Sequence, residues 1–102
     1  MRTKASEARR HSARAAEKRA AIADHKLERG CVDCGYNAAS EALDLDHVRG
    51  EKLFTPATLP QKPWAAIYEE MSKCEVRCAN CHRIRSRKNW AADHERNFVH
   101  AR

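Results

Sequence analysis

The chain contains two pairs of cysteines with Cys-x-x-Cys spacing, and no other feature restricts its fold as strongly. Cys31 and Cys34 form the first pair, and Cys78 and Cys81 form the second. A Cys-x-x-Cys turn directs two thiolates towards one tetrahedral ion, and two such turns complete the four-sulfur shell that Zn²⁺ prefers in a structural site. The spacing therefore predicts that two distant segments of the chain meet at one structural zinc ion.

Disulfide bonds and buried free thiols are the alternatives to a zinc site. Disulfides fit poorly, because the chain has five cysteines and its first residues lack the hydrophobic segment of a signal peptide. Cys74 has no partner at Cys-x-x-Cys spacing. We expect it to be a buried apolar thiol, as free cysteines commonly are.

The composition indicates one small domain with little apolar material for a core. The chain has 102 residues, of which 33% are charged, and its mean hydropathy is -0.83. A bound metal commonly compensates for a small core in domains of this size. No apolar run approaches the roughly 18 residues that span a bilayer, so the sequence predicts no membrane partner.

The net charge of +6 is distributed unevenly along the chain. Residues 1–30 contain nine lysines and arginines against four acidic residues, and residues 82–102 contain six against two. The segment between them contains five against eight. This pattern favours a protein that holds a polyanion with its ends and a cation in its middle. The alternative is that both ends are simply soluble helices rich in charged residues.

Local patterns predict one long helix and two short strands. A segment rich in alanine and charged residues, without glycine or proline, predicts a helix over 4–29 that Gly30 ends. Alternation of apolar and polar residues predicts a strand over 42–48, and residues 75–77 are the expected second strand. In the first strand, one face is expected to carry Leu43, Leu45 and His47, and the other Asp44, Asp46 and Val48.

Two further helices are predicted in the second half of the chain. We expect Pro63 to open a helix that reaches about Lys73. Its large apolar residues recur at i, i+3, i+4 and i+7, so this stripe is expected to pack in the core. The last helix is expected to begin at Ala79, inside the second cysteine pair, and to reach Asn89 or beyond. The apolar stripe consists of Trp64, Ile67, Tyr68 and Met71.

Three motifs resemble, in order and spacing, those of the HNH nuclease superfamily in its four-cysteine zinc subgroup. They are Cys31-x-x-Cys34, Leu45-Asp46-His47 and Cys78-x-x-Cys81-His82. The longer segments 45–52 (LDHVRGEK) and 73–83 (KCEVRCANCHR) are similar to small HNH proteins of actinobacteria and their phages.

The resemblance covers about residues 31–88 and implies an α+β fold. This fold is a small zinc-stapled ββα-metal (His-Me finger) core with a basic N-terminal helix and a C-terminal helix. The implied organisation is a basic helical extension over 1–29, an HNH domain over 30–90 and a helical tail over 91–102.

The resemblance also implies the roles of three residues. Asp46 and His82 occupy the positions that bind one catalytic divalent cation, expected to be Mg²⁺, Mn²⁺ or Ni²⁺, and His47 occupies that of the general base. Phosphodiester hydrolysis needs a base for water and a metal for the phosphate charge, and the ordinary histidine pKa of about 6.5 suits neutral pH. Two other interpretations stay open: Asp46 and His47 as an exposed polar pair, and His82 as a hydrogen-bonding support for a sulfur ligand.

One position departs from the family pattern. The family's central Asn, which orders the loop that holds the base, lies about five residues before the second cysteine pair, where this chain has Lys73.

Asp44 is expected on the same strand face as Asp46. It is either a group that supports a metal ligand or, more simply, a solvated carboxylate.

The predicted function is metal-dependent hydrolysis of DNA by an HNH endonuclease, in the cytoplasm of a bacterium or a phage-infected cell. DNA is the expected partner, and phage packaging or recombination are among the settings that use such chemistry. One alternative is a non-catalytic zinc-stabilised module that binds nucleic acid, which Lys73 and the basic ends favour. Another is a zinc-ribbon adaptor for proteins.

Basic residues are expected to contact the DNA backbone without reading its sequence. They are Arg9, Arg10, Arg14, Arg49, Lys52, Arg83, Arg85, Arg87 and Lys88.

Overall fold

The computed structural model describes the backbone of residues 4–101 and the side chains of residues 13–92. These residues form an α+β fold of three helices and a two-stranded antiparallel sheet. In chain order, the elements are α1 (Lys4–Arg29), β1 (Leu43–His47), α2 (Trp64–Ser72), β2 (Cys74–Cys78) and α3 (Ala79–Ala101). Within this described part of the chain, no helix combines the length and the apolar character needed to cross a membrane.

The predicted elements are confirmed, with small shifts at their ends. α1 has the predicted bounds, whereas β1 is one residue shorter than predicted at each end and β2 is one residue longer at each end. α2 begins directly after Pro63. α3 begins inside the second cysteine pair, and its backbone continues without a break through the predicted boundary between residues 90 and 91.

α1 ends at Gly30 because the chain takes a left-handed turn there. Gly30 has a φ of 67°, and its amide donates a hydrogen bond to the Lys26 carbonyl at 2.8 Å, which closes the last turn. A Cβ atom at this position would lie 3.3 Å from both the Asn37 Cβ and the Tyr36 carbonyl oxygen. Glycine therefore lets the helix end tightly against the loop that follows the first cysteine pair.

The register of the sheet gives it two chemically different faces. Leu45 lies opposite Val76, and Asp46 lies opposite Glu75. Residues directly opposite each other in an antiparallel pair point to the same face, and successive residues alternate between faces. The core face carries Leu43, Leu45, His47, Cys74, Val76 and Cys78. The polar face carries Asp44, Asp46, Glu75 and Arg77.

Helices α1 and α2 cover the core face. Ile22 from α1 and Ile67 and Met71 from α2 are buried together with Leu45 and Val76 of the sheet. The other members of this buried cluster are Cys31, Leu43, Leu59 and Cys78. Two cysteines of the predicted zinc site are thus part of the small core as well.

The prediction that the α2 stripe is buried is wrong at two of its four positions. Ile67 and Met71 are buried, but Trp64 and Tyr68 keep 39% and 60% of their surface exposed. The reason is Glu70, which is only 1% exposed and lies one turn after Ile67 on the same helix face. Because a carboxylate completes the inner face of α2, the two aromatic rings lie at its edge.

Truncation of a core side chain tests this assignment. Ile67→Ala removes a side chain with 0% exposure, and we expect it to lower the free energy of unfolding by about 2–5 kcal/mol. Ile84→Ala is the matched control, because Ile84 is 54% exposed on α3 and its truncation should cost at most about 0.5 kcal/mol. Urea denaturation of the metal-loaded proteins, followed by circular dichroism, measures both losses. Equal losses would contradict the assigned core.

Candidate metal centre and polar site

The four cysteines of the two pairs converge at one point. The ligand atoms of Cys31, Cys34, Cys78 and Cys81 all lie within 4.8 Å of one another, and the Sγ atoms of Cys34 and Cys78 are 3.8 Å apart. Four sulfurs at about 2.3 Å from one tetrahedral ion would be separated by roughly 3.8 Å. Among the described side chains, these are the one such group of three or more His, Cys, Asp or Glu residues. The cluster is positioned to hold a metal ion, and its all-thiolate donor set suits zinc.

Backbone hydrogen bonds hold the first pair in place. The Cys31 amide donates to the Tyr36 carbonyl at 2.8 Å, and the Gly35 amide donates to the Cys31 carbonyl at 2.8 Å. These two bonds close the turn around the pair. The Val32 amide donates to the Val76 carbonyl, also at 2.8 Å, and so connects this turn to β2.

The second pair spans the junction between β2 and α3. Cys78 ends the strand, Cys81 lies in the first turn of the helix, and the Cys81 amide donates to the Cys78 Sγ at 3.4 Å.

Burial alone raises the pKa of Cys31, but backbone hydrogen bonds outweigh it and lower that pKa to about 6. The bonds come from Cys78, Cys34 and Asp33. One thiolate of the cluster is therefore already favoured at neutral pH.

Cys74 does not belong to the cluster. Its Sγ donates to the Glu70 carbonyl at 3.4 Å, its side chain packs half-buried against the core, and burial raises its pKa to about 11. The prediction of a buried apolar thiol is confirmed in part, since the burial is incomplete. All five cysteines lie in the described part of the chain and are free thiols.

Loss of one cluster thiol should remove the metal. We expect about one ion per chain, identified as zinc by mass spectrometry, in the wild type, and none in Cys34→Ser. Since metal-binding free energy is folding free energy in such sites, the variant should also lose at least about 3 kcal/mol of unfolding free energy. Cys74→Ser is the matched control and should retain its ion. Equal metal content in the two variants would contradict the assigned ligand set.

Two arginines converge on Asp46 at the polar face. Arg77, only 5% exposed, has its Nε 2.6 Å from Asp33 Oδ2 and its Nη1 2.6 Å from Asp46 Oδ2. Arg85 of α3 places its Nη1 3.1 Å from the same Asp46 oxygen. The hydrogen bond with Asp33 is the largest cause that raises the pKa of Arg77, and it lowers the pKa of Asp33 in turn. Asp46 therefore binds both arginines through Oδ2.

His82 lies between two carboxylates of the polar face. Its Nδ1 is 3.0 Å from Asp44 Oδ2, and its Nε2 is 3.5 Å from Asp46 Oδ1. An ionised carboxylate only accepts hydrogen bonds, so the bond to Asp44 places a proton on Nδ1. In the neutral ring, the Nε2 lone pair then faces the lone pairs of Asp46 Oδ1. The Asp44 side chain is 44% exposed, so it is both solvated and bound to His82.

The structure thus brings Asp46 and His82 together. Both nitrogens of His82 face carboxylates, which excludes the interpretation that the ring supports a sulfur ligand. The interpretation of Asp46 and His47 as an exposed polar pair is also excluded, because their side chains are 7% and 15% exposed.

His47 lies apart from this pair, on the core face at the end of β1. Its Nε2 is 2.8 Å from Oε2 of Glu70 in α2. Because an ionised carboxylate can only accept, Nε2 carries the proton and Nδ1 carries the lone pair. The side chain that the resemblance assigns as the base is therefore held by α2 on the core face, while the two assigned metal ligands lie at the polar face, Asp46 in β1 and His82 in α3.

Glu70 binds four hydrogen-bond donors at a buried position. Its Oε2 accepts from His47 and from the amides of Leu53 at 3.0 Å and Phe54 at 3.2 Å, and its Oε1 accepts from Lys73 Nζ at 2.9 Å. Burial alone raises the pKa of Glu70, but these bonds, led by that of Lys73, hold it at about 2. The ionised carboxylate connects α2 to the loop after β1.

Lys73 connects the same loop to the end of α2. Its Nζ donates to the Glu51 carbonyl at 2.8 Å, and its own carbonyl accepts from the amides of Val48 at 2.9 Å and Arg49 at 3.2 Å. The HNH pattern has a loop-ordering Asn near this position. In this chain, Lys73 makes contacts that order the loop after β1.

The basic residues predicted to contact DNA lie on α1, on α3 and in the loop after β1. The side chains of Arg9 and Arg10 lie outside the described residues. Arg85 is partly buried by its ion pair with Asp46. The exposed members are Arg14, Arg49, Lys52, Arg83, Arg87 and Lys88.

The sequence reasoning missed Glu70 and Arg77, the two charged residues on which these hydrogen bonds converge. Glu70 carries a signal in the sequence, because it lies at i+3 from Ile67 on a helix face whose other members are apolar. Arg77 alternates with Val76 as a strand residue does, so its face could be predicted. Its partners could not, because they depend on the register between two strands far apart in the sequence.

In comparisons with protein-family models, curated proteins and solved structures, the chain matches none. Function is therefore inferred from the geometry of the described residues. That geometry places His82, one residue after Cys81, on the polar face between Asp44 and Asp46.

Stability should depend on pH through Glu70. Its pKa of about 2 in the folded state lies below the ordinary 4.5, so the ionised group stabilises the fold above about pH 5, and this contribution is lost as the pH falls towards 2. Glu70→Gln should lower the free energy of unfolding by about 2–4 kcal/mol at pH 7. The difference from the wild type should shrink as the pH falls from 5 to 4, as measured by urea unfolding.

Glu69→Gln is the matched control for this titration. Glu69 is the exposed neighbour of Glu70, and its variant should follow the wild type at every pH. Proton competition for the cysteine thiolates affects all three proteins alike and cancels in the differences. A difference for Glu70→Gln that stays constant with pH would contradict the assigned ionisation.

Proposed function

We propose that the chain is a metal-dependent DNA endonuclease with a zinc-stapled ββα-metal core. In this proposal, the four cysteines hold a structural zinc, Asp46 and His82 hold a separate divalent cation, and His47 is the general base. Three features support this assignment. They are the order of the motifs, the antiparallel β1–β2 pair, and the ion pairs between α3 and the polar face of the sheet.

The observation that carries the proposal is the close approach of Asp46 and His82. With Nδ1 bound to Asp44, a neutral His82 ring directs Nε2 at Asp46 Oδ1 across 3.5 Å, and these lone pairs repel unless a proton or a cation lies between them. Two ligand atoms about 2.1 Å from one ion are at most about 4.2 Å apart, so the separation suits a shared ion. A carboxylate on the other ring nitrogen is also typical of metal-binding histidines.

The charge balance of the polar face also favours a cation. Three carboxylates of the described residues pair with the guanidinium groups of Arg77 and Arg85, and a fourth pairs with His82. With His82 neutral, these carboxylates still outnumber the three cations Arg77, Arg85 and Lys88 beside them, and a divalent cation would offset the excess negative charge. The carboxylates belong to Asp33, Asp44, Asp46 and Glu75.

A bound divalent cation would stabilise negative charge on the scissile phosphate and on the leaving oxygen. His47 would take a proton from water at Nδ1, while its Nε2–H donates to Glu70, whose negative charge stabilises the imidazolium that forms. Asp44 would hold the His82 ring in the tautomer that leaves Nε2 free. Mg²⁺ prefers oxygen, whereas Mn²⁺ and Ni²⁺ accept imidazole, so His82 favours the latter two.

A non-catalytic module that binds nucleic acid is the second candidate, and one set of contacts favours it. Asp46 already accepts hydrogen bonds from Arg77 and Arg85, and His47 faces Glu70 on the other side of the sheet. If these residues are purely structural, the chain needs no cation beyond the zinc. It would then bind DNA through its exposed cations, with an affinity that falls steeply with salt.

Plasmid nicking in the presence of Mg²⁺, Mn²⁺ or Ni²⁺ tests the proposal. Asp46→Asn and His82→Ala should abolish nicking, and His47→Ala should slow it about 100-fold or more, because a general base contributes about 10²–10⁴ in rate. Asp24→Asn is the matched control, since Asp24 is an exposed carboxylate of α1, and it should nick at the wild-type rate. Equal nicking by the wild type and His47→Ala would rule out the assigned base.

Metal binding distinguishes the two candidates without reference to activity. Electron paramagnetic resonance of Mn²⁺ added to the zinc-loaded protein should show one bound ion in the wild type and in His47→Ala, and none in Asp46→Asn or His82→Ala. Salt-dependent DNA binding without a Mn²⁺ site, and without cleavage in any metal, would establish the non-catalytic module instead.

A further inference from the structure

Helices α1 and α2 border a basic and aromatic surface that lies outside the proposed cation site of Asp46 and His82. A cavity of about 540 Å³ lies at one end of this surface, lined by Arg14 and Lys18 of α1 and by the turn before α2. A cavity of about 730 Å³ lies at the other end, lined by Arg29 of α1, Arg49 and Tyr68. The two cavities and the side chains between them are here termed the α1–α2 groove.

Two exposed aromatic rings of α2 lie close to the cavities. The rings of Trp64 and Tyr68 lie one helical turn apart, with centroids separated by 6.0 Å and planes inclined by 24°. Lys18, which lines the first cavity, has its Nζ 5.8 Å from the centroid of the Trp64 ring, and Tyr68 lines the second cavity. Tyr68 thus belongs to the wall of the second cavity, and Trp64 lies next to a cation of the first.

Cations of α1 line both cavities, and Lys18 is held in place there by a hydrogen bond from its Nζ to the Lys62 carbonyl at 2.7 Å. Arg14, Lys18 and Arg29 fall within an arc of about 60° on the helix surface and span about 22 Å along its axis. The acidic residues of this part of α1 occupy a separate arc of about 40°. They are Glu17, Asp24 and Glu28.

The second cavity adds a cation held in place by the fold. Arg49 donates from Nη1 to the Ser72 carbonyl at the end of α2, which fixes its guanidinium beside the cavity. Glu75 also lines this cavity, but its carboxylate lies 3.5 Å from Arg77 and is offset by that cation.

We propose that the α1–α2 groove binds a single-stranded segment of nucleic acid, with phosphates along α1 and unpaired bases against Trp64 and Tyr68. A line of cations beside exposed aromatic rings is the combination by which proteins hold single strands, because every unpaired base offers a flat face for stacking. In a duplex these faces are covered by neighbouring base pairs. An acidic peptide would satisfy the cations but would leave the rings without planar partners.

The groove and the proposed cation site lie on different sides of the sheet, and the proposed base, His47, lines neither cavity of the groove. α1 and α2 cover the core face of the sheet, whereas Asp46 and His82 lie on the polar face. The proposal therefore does not depend on nuclease activity, and it holds for a catalytic and for a non-catalytic protein alike.

Fluorescence anisotropy with a labelled oligothymidine of 12 nucleotides tests the proposal, using the zinc-loaded full chain without further divalent metal. The double variant Trp64→Ala, Tyr68→Ala should weaken single-strand binding at least about tenfold, because stacking contributes about 1–3 kcal/mol per base. Its affinity for a duplex of the same length should change less than twofold.

Charge variants on α1 supply the matched comparison. Arg29→Gln should weaken oligothymidine binding and reduce the slope of log affinity against log salt by about 0.7. Lys26→Gln removes a cation of the same helix that does not line the two cavities, and it should bind as the wild type does.

Trp90→Phe provides a readout that keeps both groove aromatics. Trp64 is then the sole tryptophan of the chain, and oligothymidine should quench its fluorescence. Absence of binding or of quenching would overturn the proposal even if the double variant fails to fold. Unchanged affinity in a folded double variant, equal loss of duplex affinity, or equal competition by oligoglutamate would also overturn it.

Discussion

The convergence of four thiols at one point constrains this structure more than its small core does. The first cysteine pair connects the segment after α1 to β2, and the second pair connects β2 to α3. Within the described residues, α3 contributes no fully buried apolar side chain, and only Cys81 packs half-buried against the core. The position of α3 therefore depends on the cysteine cluster and on the ion pairs of His82 and Arg85. A metal in the cluster would hold both of these side chains next to Asp46.

The sheet separates two buried carboxylates that are satisfied in different ways. Glu70 uses both of its oxygens for four donors, and its partners come from β1, from the loop after it and from the end of α2. Glu70 keeps all four of these hydrogen bonds only when the three segments are arranged in this way, so its role is to order the loop after β1. Asp46 binds its two arginines through one oxygen and directs the other at His82. Of the two carboxylates, Asp46 is the one with capacity left for a ligand.

Features that depend on local pattern could be predicted from the sequence. The four thiols, the bounds of α1 and the opposite faces of Asp46 and His47 all follow from spacing and alternation. The exposure of Trp64 could not be predicted in this way, because helical periodicity shows that Glu70 adjoins the apolar stripe but not that it is buried there. The burial of Glu70 depends on hydrogen-bond donors from outside α2, which come from β1, from the loop after it and from Lys73. The contacts of Asp46 with two arginines likewise depend on strand register and on the placement of α3.

The two sides of the sheet present different charged groups, and this difference separates the two ways in which the chain would hold nucleic acid. On the α1–α2 side, exposed cations would bind phosphates directly, with an affinity that falls with salt. On the polar side, carboxylates outnumber guanidinium groups, and phosphate would approach them only after a cation between Asp46 and His82 offset their charge. Binding that persists without a divalent cation therefore belongs to the α1–α2 groove or to other exposed cations. Binding that requires one belongs to the polar face.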